Sequence, residues 1–121
     1  MKPSAAAAQA ALQYAGRPAY PTIVLALATL LAWGSVTALA LQGLLPPGIA
    51  FLLNTVLAYV AFTPMHDASH GSIAAKRPVL APVETGIGWL MGAVLWVPYP
   101  IFRLLHLRHH RQTNHPQKDP D

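Results

Sequence analysis

The chain has 121 residues, of which 8 are Lys or Arg, 4 are Asp or Glu and 54% are hydrophobic. A soluble domain carries about 25% charged residues, so a charged fraction of 10% cannot solvate an ordinary globular surface, and the chain needs lipid as part of its solvent. Cysteine is absent, which excludes disulfides, thiolate zinc sites, iron–sulfur clusters and cysteine nucleophiles.

Residues 1–21 are expected to form an N-terminal cytoplasmic tail, whose first 16 residues are alanine-rich, with Ser4 as a candidate N-cap and Gly16 as a stop, and read as a short surface helix or a disordered tail. Residues 18–66 then carry no Asp, Glu, Lys or Arg. A transmembrane helix needs about 20 apolar residues, so this stretch holds two. The break falls at Gln42-Gly43-Leu44-Leu45-Pro46-Pro47-Gly48, where prolines between glycines make a turn. The expected spans are residues 22–41 and 48–65. Ala38-Leu39-Ala40 resembles a signal-peptidase site, but the apolar run before it exceeds the usual 7–15 residues, which argues against cleavage. Asn54 and Thr55 fall inside the second span and are expected to face a neighbouring helix, because lipid offers them no partner. Pro64 is expected to kink its last turn.

A third apolar stretch, residues 85–102, is broken by Pro98 and Pro100. Its helical part, Gly86 to Val97, is too short to cross, which leaves an interfacial or re-entrant helix with Trp89, Trp96 and Tyr99 at headgroup level. Lys2 and Arg17 precede the first span, and Lys76, Arg77, Arg103, Arg108 and Arg111 follow the second, whereas the turn between the spans has no basic residue. Lys and Arg concentrate on the cytoplasmic side, so the chain is expected to be an all-α integral membrane hairpin. Both its ends, and residues 66–84 and 103–121, then lie in the cytoplasm.

Five of the six histidines fall in two short patterns. His66-Asp67-Ala68-Ser69-His70-Gly71 is an HxxxH, whose i and i+4 imidazoles share a helix face. His106-Leu107-Arg108-His109-His110 is an HxxHH, whose three histidines at i, i+3 and i+4 again share a face. Imidazole is the commonest neutral nitrogen donor for iron, zinc and copper, so His66, His70, His106, His109 and His110 are the candidate metal ligands. No catalytic group beyond them stands out. His115 has no matching spacing and is expected in solvent. Asp67 could orient an imidazole or be a solvated carboxylate. Asn114, Asp119 and Asp121 could brace the second box or cap a following helix, with the cap preferred. The basic residues could contact lipid or carrier phosphates, or only fix topology. Nucleic-acid binding is not expected, because no base-stacking platform accompanies the basic residues.

The pattern HDASHG, followed about forty residues later by LHLRHHRQTNHPQKDPD, resembles the membrane fatty acid desaturase superfamily, over roughly residues 20–121. The resemblance implies helical hairpins with histidine boxes holding two non-haem irons at the cytoplasmic face, O2 as co-substrate and a membrane lipid or acyl substrate. It also implies an external electron donor of ferredoxin or cytochrome b5 type. His66 and His70 match the first box; His106, His109 and His110 match the second. A third box, another HxxHH, lies farther along in the family and is not in this sequence. The expectation is therefore a partial desaturase-like domain over residues 22–121 with an incomplete two-iron site. A lipid or carotenoid hydroxylase or ketolase, and an inactive membrane fragment, stay open as alternatives. An intramembrane metalloprotease is disfavoured, because His66-Asp67-Ala68-Ser69-His70 has Asp where HExxH has Glu, and the second box would go unexplained.

Overall fold

A computed structural model describes residues 6, 9 and 16–120. The readings made of Ser4 and Asp121 fall outside the described residues. The chain is all-helical over the described residues, with α1 (Tyr20–Leu41), α2 (Pro47–Ser69), a 3₁₀ turn (Pro78–Leu80), α3 (Ala81–Val94) and α4 (Tyr99–Gln112). Pro21, Pro47 and Pro100 sit in the first turns of α1, α2 and α4, where a missing backbone N–H costs nothing and the fixed φ suits a helix.

Among the described residues, α1 and α2 are the two single helices long and apolar enough to cross a membrane, with 22 and 23 residues and mean hydropathies of 2.1 and 1.6. At 1.5 Å per residue each is roughly 33–35 Å long, enough for the hydrocarbon core. They form an antiparallel hairpin whose contact is made by small residues, with Ala26, Thr29, Ala50 and Ala61 buried while Leu31, Phe51, Leu52 and Val56 point outward. This is the packing expected where lipid is as apolar as leucine and helices associate by close approach. Asn54 faces the neighbouring helix as expected, donating from Nδ2 to Thr37 Oγ1 at 3.0 Å. Thr55 does not: its hydroxyl donates back to Phe51 C=O at 2.8 Å on an exposed face, because a threonine can satisfy itself within its own helix.

The second helix runs past its expected end at Met65. Pro64 is buried inside it, and the helix continues through His66, Asp67 and Ser69. It stops where Gly71 adopts φ +70°, with Gly71 N–H donating to Ala68 C=O at 3.2 Å and Ser72 N–H to Asp67 C=O at 3.3 Å. That is a Schellman end, which needs a left-handed residue just past the C-cap. His70 is that C-cap. α1 ends the same way on Gly43, with Leu44 N–H donating to Leu39 C=O at 2.9 Å.

α3 lies against α2, and α4 leaves it at a bend of 103°. The bend is a third Schellman end, with Val97 N–H on Gly92 C=O at 2.8 Å and Trp96 at φ +57°. A tryptophan there is held against its preference. The expected third helix, Gly86 to Val97, therefore starts earlier, at Ala81, and ends at Val94. Tyr99 and Phe102 belong to a separate helix carrying the second histidine box. Tyr99 is the joint between them. Its ring lies over Gly88, where an added Cβ would fall 2.2 Å from Cζ, and its Cβ lies over Gly92. The core is small: Met65, Ile73 and Met91 are fully buried between the end of α2, the following loop and α3.

Candidate metal centre

The histidines stand at the end of the hairpin where α1 begins and α2 ends. Ala19 N–H donates to Ile73 C=O at 3.0 Å, and Thr22 Oγ1 donates to Asp67 Oδ2 at 3.0 Å. Asp67 thus ties the first box to α1, with a longer contact of 3.5 Å from its Oδ1 to His66 Nδ1.

α4 is laid against this end by two contacts. Tyr99 fills the glycine groove of α3, and Arg103 donates from Nε to Ser69 C=O at 3.1 Å. Ser69 is fully buried and donates its hydroxyl to His66 C=O at 2.6 Å. On a helix of 3.6 residues per turn, positions 99, 103, 106 and 110 fall within about 60° of one another. The stripe that anchors α4 therefore also aims His106 and His110 at the first box.

Four histidines converge as a result. The ligand nitrogens of His66, His70, His106 and His110 lie within 4.8 Å of one another. His106 Nε2 is 2.9 Å from His70 Nε2 and 3.1 Å from His110 Nε2. Two ring nitrogens bound at right angles to one metal at about 2.1 Å would stand about 3 Å apart, so these separations fit a shared ion. The donor set, four imidazoles without a thiolate, suits iron, copper, nickel or zinc. Phe102 stacks on His106, with ring centroids 5.2 Å apart and planes at 8°, and sets that ring's orientation. Desolvation by the packed rings, then the neighbouring His66 and His110, hold His70 below the ordinary imidazole range. The same causes, with His70 and His109 added, act on His106. Both shifts favour the neutral form that a metal ligand needs.

His109 is placed differently. At i+3 it lies about 60° from His106 on the side away from His110, and it is not one of the four. Its Nδ1 is 2.7 Å from Asp119 Oδ1, and the other carboxylate oxygen of Asp119 accepts Asn114 N–H at 2.8 Å. Asn114, at φ +63°, and the turn His115–Lys118 bring Asp119 back to α4. The cap role preferred from sequence is thus corrected: Asp119 braces the second box. His115 is exposed, as expected, and its ring accepts Gln117 N–H on Nδ1 at 3.3 Å.

A hollow of about 600 Å³ opens beside the histidines, walled by Phe62, Val97, Ile101, Phe102 and Leu105 and reaching His66, His106, His109 and His110. The contacts of Thr22, Ser69, Phe102 and Arg103 carry no signal in the sequence, since each depends on which helices meet. The Gly88-x-x-x-Gly92 spacing is the one legible hint, because small residues at that interval mark close helix approach.

The fold and the site together define a membrane protein with a polyhistidine centre at one end of a helical hairpin. The chain belongs to the fatty acid desaturase family, whose pattern matches residues 42–121. Over 54 residues it is 32% identical to the Delta(12) fatty acid desaturases of Mortierella isabellina and Mortierella alpina. Each match covers 45% of this chain and 12% of the relative, so the chain spans a small part of those proteins. No solved structure matches it.

Proposed function

We propose that residues 22–121 are the N-terminal part of a membrane-bound non-haem di-iron oxidoreductase that desaturates an acyl chain with O2. The observation that carries this reading is the convergence of His66, His70, His106 and His110 at the mouth of an apolar hollow, in a chain of this family. Bound iron would supply, with O2, the oxidising power to remove hydrogen from an unactivated methylene, which no side chain can do.

The chain's own residues do the rest. His66, His70, His106 and His110 would offer ring nitrogens to one metal position. His109, turned aside and bonded to Asp119 through Nδ1, would keep Nε2 for a second metal, whose remaining ligands the family's third box would supply. Phe62, Ile101, Phe102 and Leu105 give an acyl chain an apolar bed and keep water from the rings. The resemblance to the family supports electrons reaching the site from an external donor of ferredoxin or cytochrome b5 type. The distribution of Lys and Arg supports a cytoplasmic position for the boxes.

The test is metal analysis of the detergent-purified chain after anaerobic loading with Fe(II) or Zn(II). Retained iron that is lost in His70→Ala and His106→Ala supports the reading. Preference for zinc, or retention indifferent to both substitutions, overturns it. Desaturation itself is tested on the chain joined to a downstream region bearing the third box, by O2-dependent appearance of an unsaturated acyl product. An oxygenated product instead would assign the site to a hydroxylase or ketolase.

A further inference from the structure

α4 separates two hollows. The second, of about 630 Å³, lies in the crook of the 103° bend on the side of α4 away from the metal position. Its wall includes Trp89, Leu104 and Leu107, its polar lining includes Arg103, Arg108 and Arg111, and no carboxylate lines it. Arg103 and Arg108 each spend Nε on a backbone carbonyl, of Ser69 and of Lys118, both at 3.1 Å. Those bonds fix the two stems, while the terminal guanidinium nitrogens meet no acceptor among the described residues. Arg111 has no hydrogen-bond or ion-pair partner among them at all.

We propose that this hollow binds an anionic phospholipid of the surrounding bilayer, held and not reacted. A guanidinium matches a phosphate in geometry as well as charge. Three of them facing a space without a carboxylate make a site for a negative group. The apolar wall needs a second explanation, and an acyl chain lying on Trp89, Leu104 and Leu107 supplies it. An acidic protein would use the arginines and leave that wall idle. The position agrees: α3 is apolar, too short to cross and carries a half-exposed Trp89, which belongs at headgroup depth. The seven residues of α4 that follow Pro98 end at Leu105, and beyond them α4 becomes basic. A lipid there lies along the bend with its phosphate toward Arg108 and Arg111. It would hold α3 and α4 at their angle from behind, while the histidines work in front.

The test uses the chain with Trp33→Phe and Trp96→Phe, which leaves Trp89 as the reporter, in neutral detergent. Phosphatidylglycerol and phosphatidylcholine with identical brominated chains are titrated, and quenching of Trp89 is read. Phosphatidylglycerol should bind at least tenfold more tightly, and Arg108→Gln with Arg111→Gln should erase at least tenfold of that affinity. Inorganic phosphate should compete weakly and quench nothing. Equal affinity for the two lipids overturns the proposal. So does indifference to the double substitution, and so does phosphate competing as well as the lipid, which would make this a free-anion site. Iron retention by the same variants reports on the histidine centre independently. If the double variant loses iron, Arg111→Gln alone, a residue without a protein partner, decides the matter: unchanged lipid affinity refutes the site.

Discussion

Asp119 and His109 meet at 2.7 Å, and the consequence belongs to the ligand and not to the fold. A carboxylate on one ring nitrogen fixes the tautomer and raises the basicity of the other, and losing such a partner weakens metal binding by about 10–100-fold. Asp119→Asn should therefore lower iron retention by that order in a protein carrying the third box, while leaving the four-histidine cluster intact. Unchanged retention would put His109 outside the metal set. His70 and His106 give a second expectation. Both are held below the ordinary value of 6.5, by desolvation first and then by neighbouring imidazoles. A group depressed in the folded state takes up a proton more readily when unfolded, so stability rises with pH. The metal-free chain should thus be most stable above pH 6.5 and lose stability as pH falls through 6.5 and below. Thermal unfolding in detergent between pH 7.5 and 5 checks this, and a flat profile would contradict the packing of the rings. Replacing both residues by Gln should flatten the slope.

Among the elements, α4 is the one whose placement decides the site, and it is held by few contacts. An added methyl at Gly88 would sit 2.2 Å from the Tyr99 ring, whereas one at Gly86 meets nothing within 4 Å. Gly88→Ala should destabilise by about 1–3 kcal/mol, the usual cost of overpacking, and weaken iron retention because the shifted Tyr99 carries His106 with it. Gly86→Ala should be neutral or slightly stabilising, since alanine is the better helix former. Thermal unfolding and iron content of the two variants, taken side by side, check both. If Gly88→Ala retained iron as well as Gly86→Ala, Tyr99 would not be the anchor. Much of this scale was legible beforehand. A run without charges marks α1 and α2, and HxxxH and HxxHH mark the boxes, because helical spacing is a local property. What could not be read is everything set by tertiary contact: the extension of α2 beyond Met65, Arg103 on Ser69, and the turning aside of His109. The i+3 spacing allows His109 on the shared face, and only the position of the first box decides that His110 and not His109 completes the four.

At the scale of the whole molecule, the question is whether the pair α3 and α4 crosses the membrane. By length and composition a bent pair could count as one broken span or as a re-entrant segment. The histidines argue for the re-entrant segment. His66 and His70 stand at the end of α2, His106 and His110 stand in α4, and their nitrogens are within 4.8 Å. Helices α2 and α4 therefore meet at one end of the hairpin, which argues for an α3 that returns the chain to the face it left. The start of α1 joins the same end through Ala19 on Ile73 and Thr22 on Asp67, and the turn between α1 and α2 lies at the opposite end of the hairpin. The absence of native cysteine makes this directly testable. Ser72→Cys, Gln117→Cys and Leu44→Cys each place one thiol at an exposed position, before α3, after α4 and in the hairpin turn. In sealed vesicles of one orientation, an impermeant maleimide should label the first two alike and Leu44→Cys oppositely. Opposite labelling of Ser72→Cys and Gln117→Cys would mean that α3 and α4 span the bilayer. The two boxes could then not share a metal, and the histidine centre would fall with the topology.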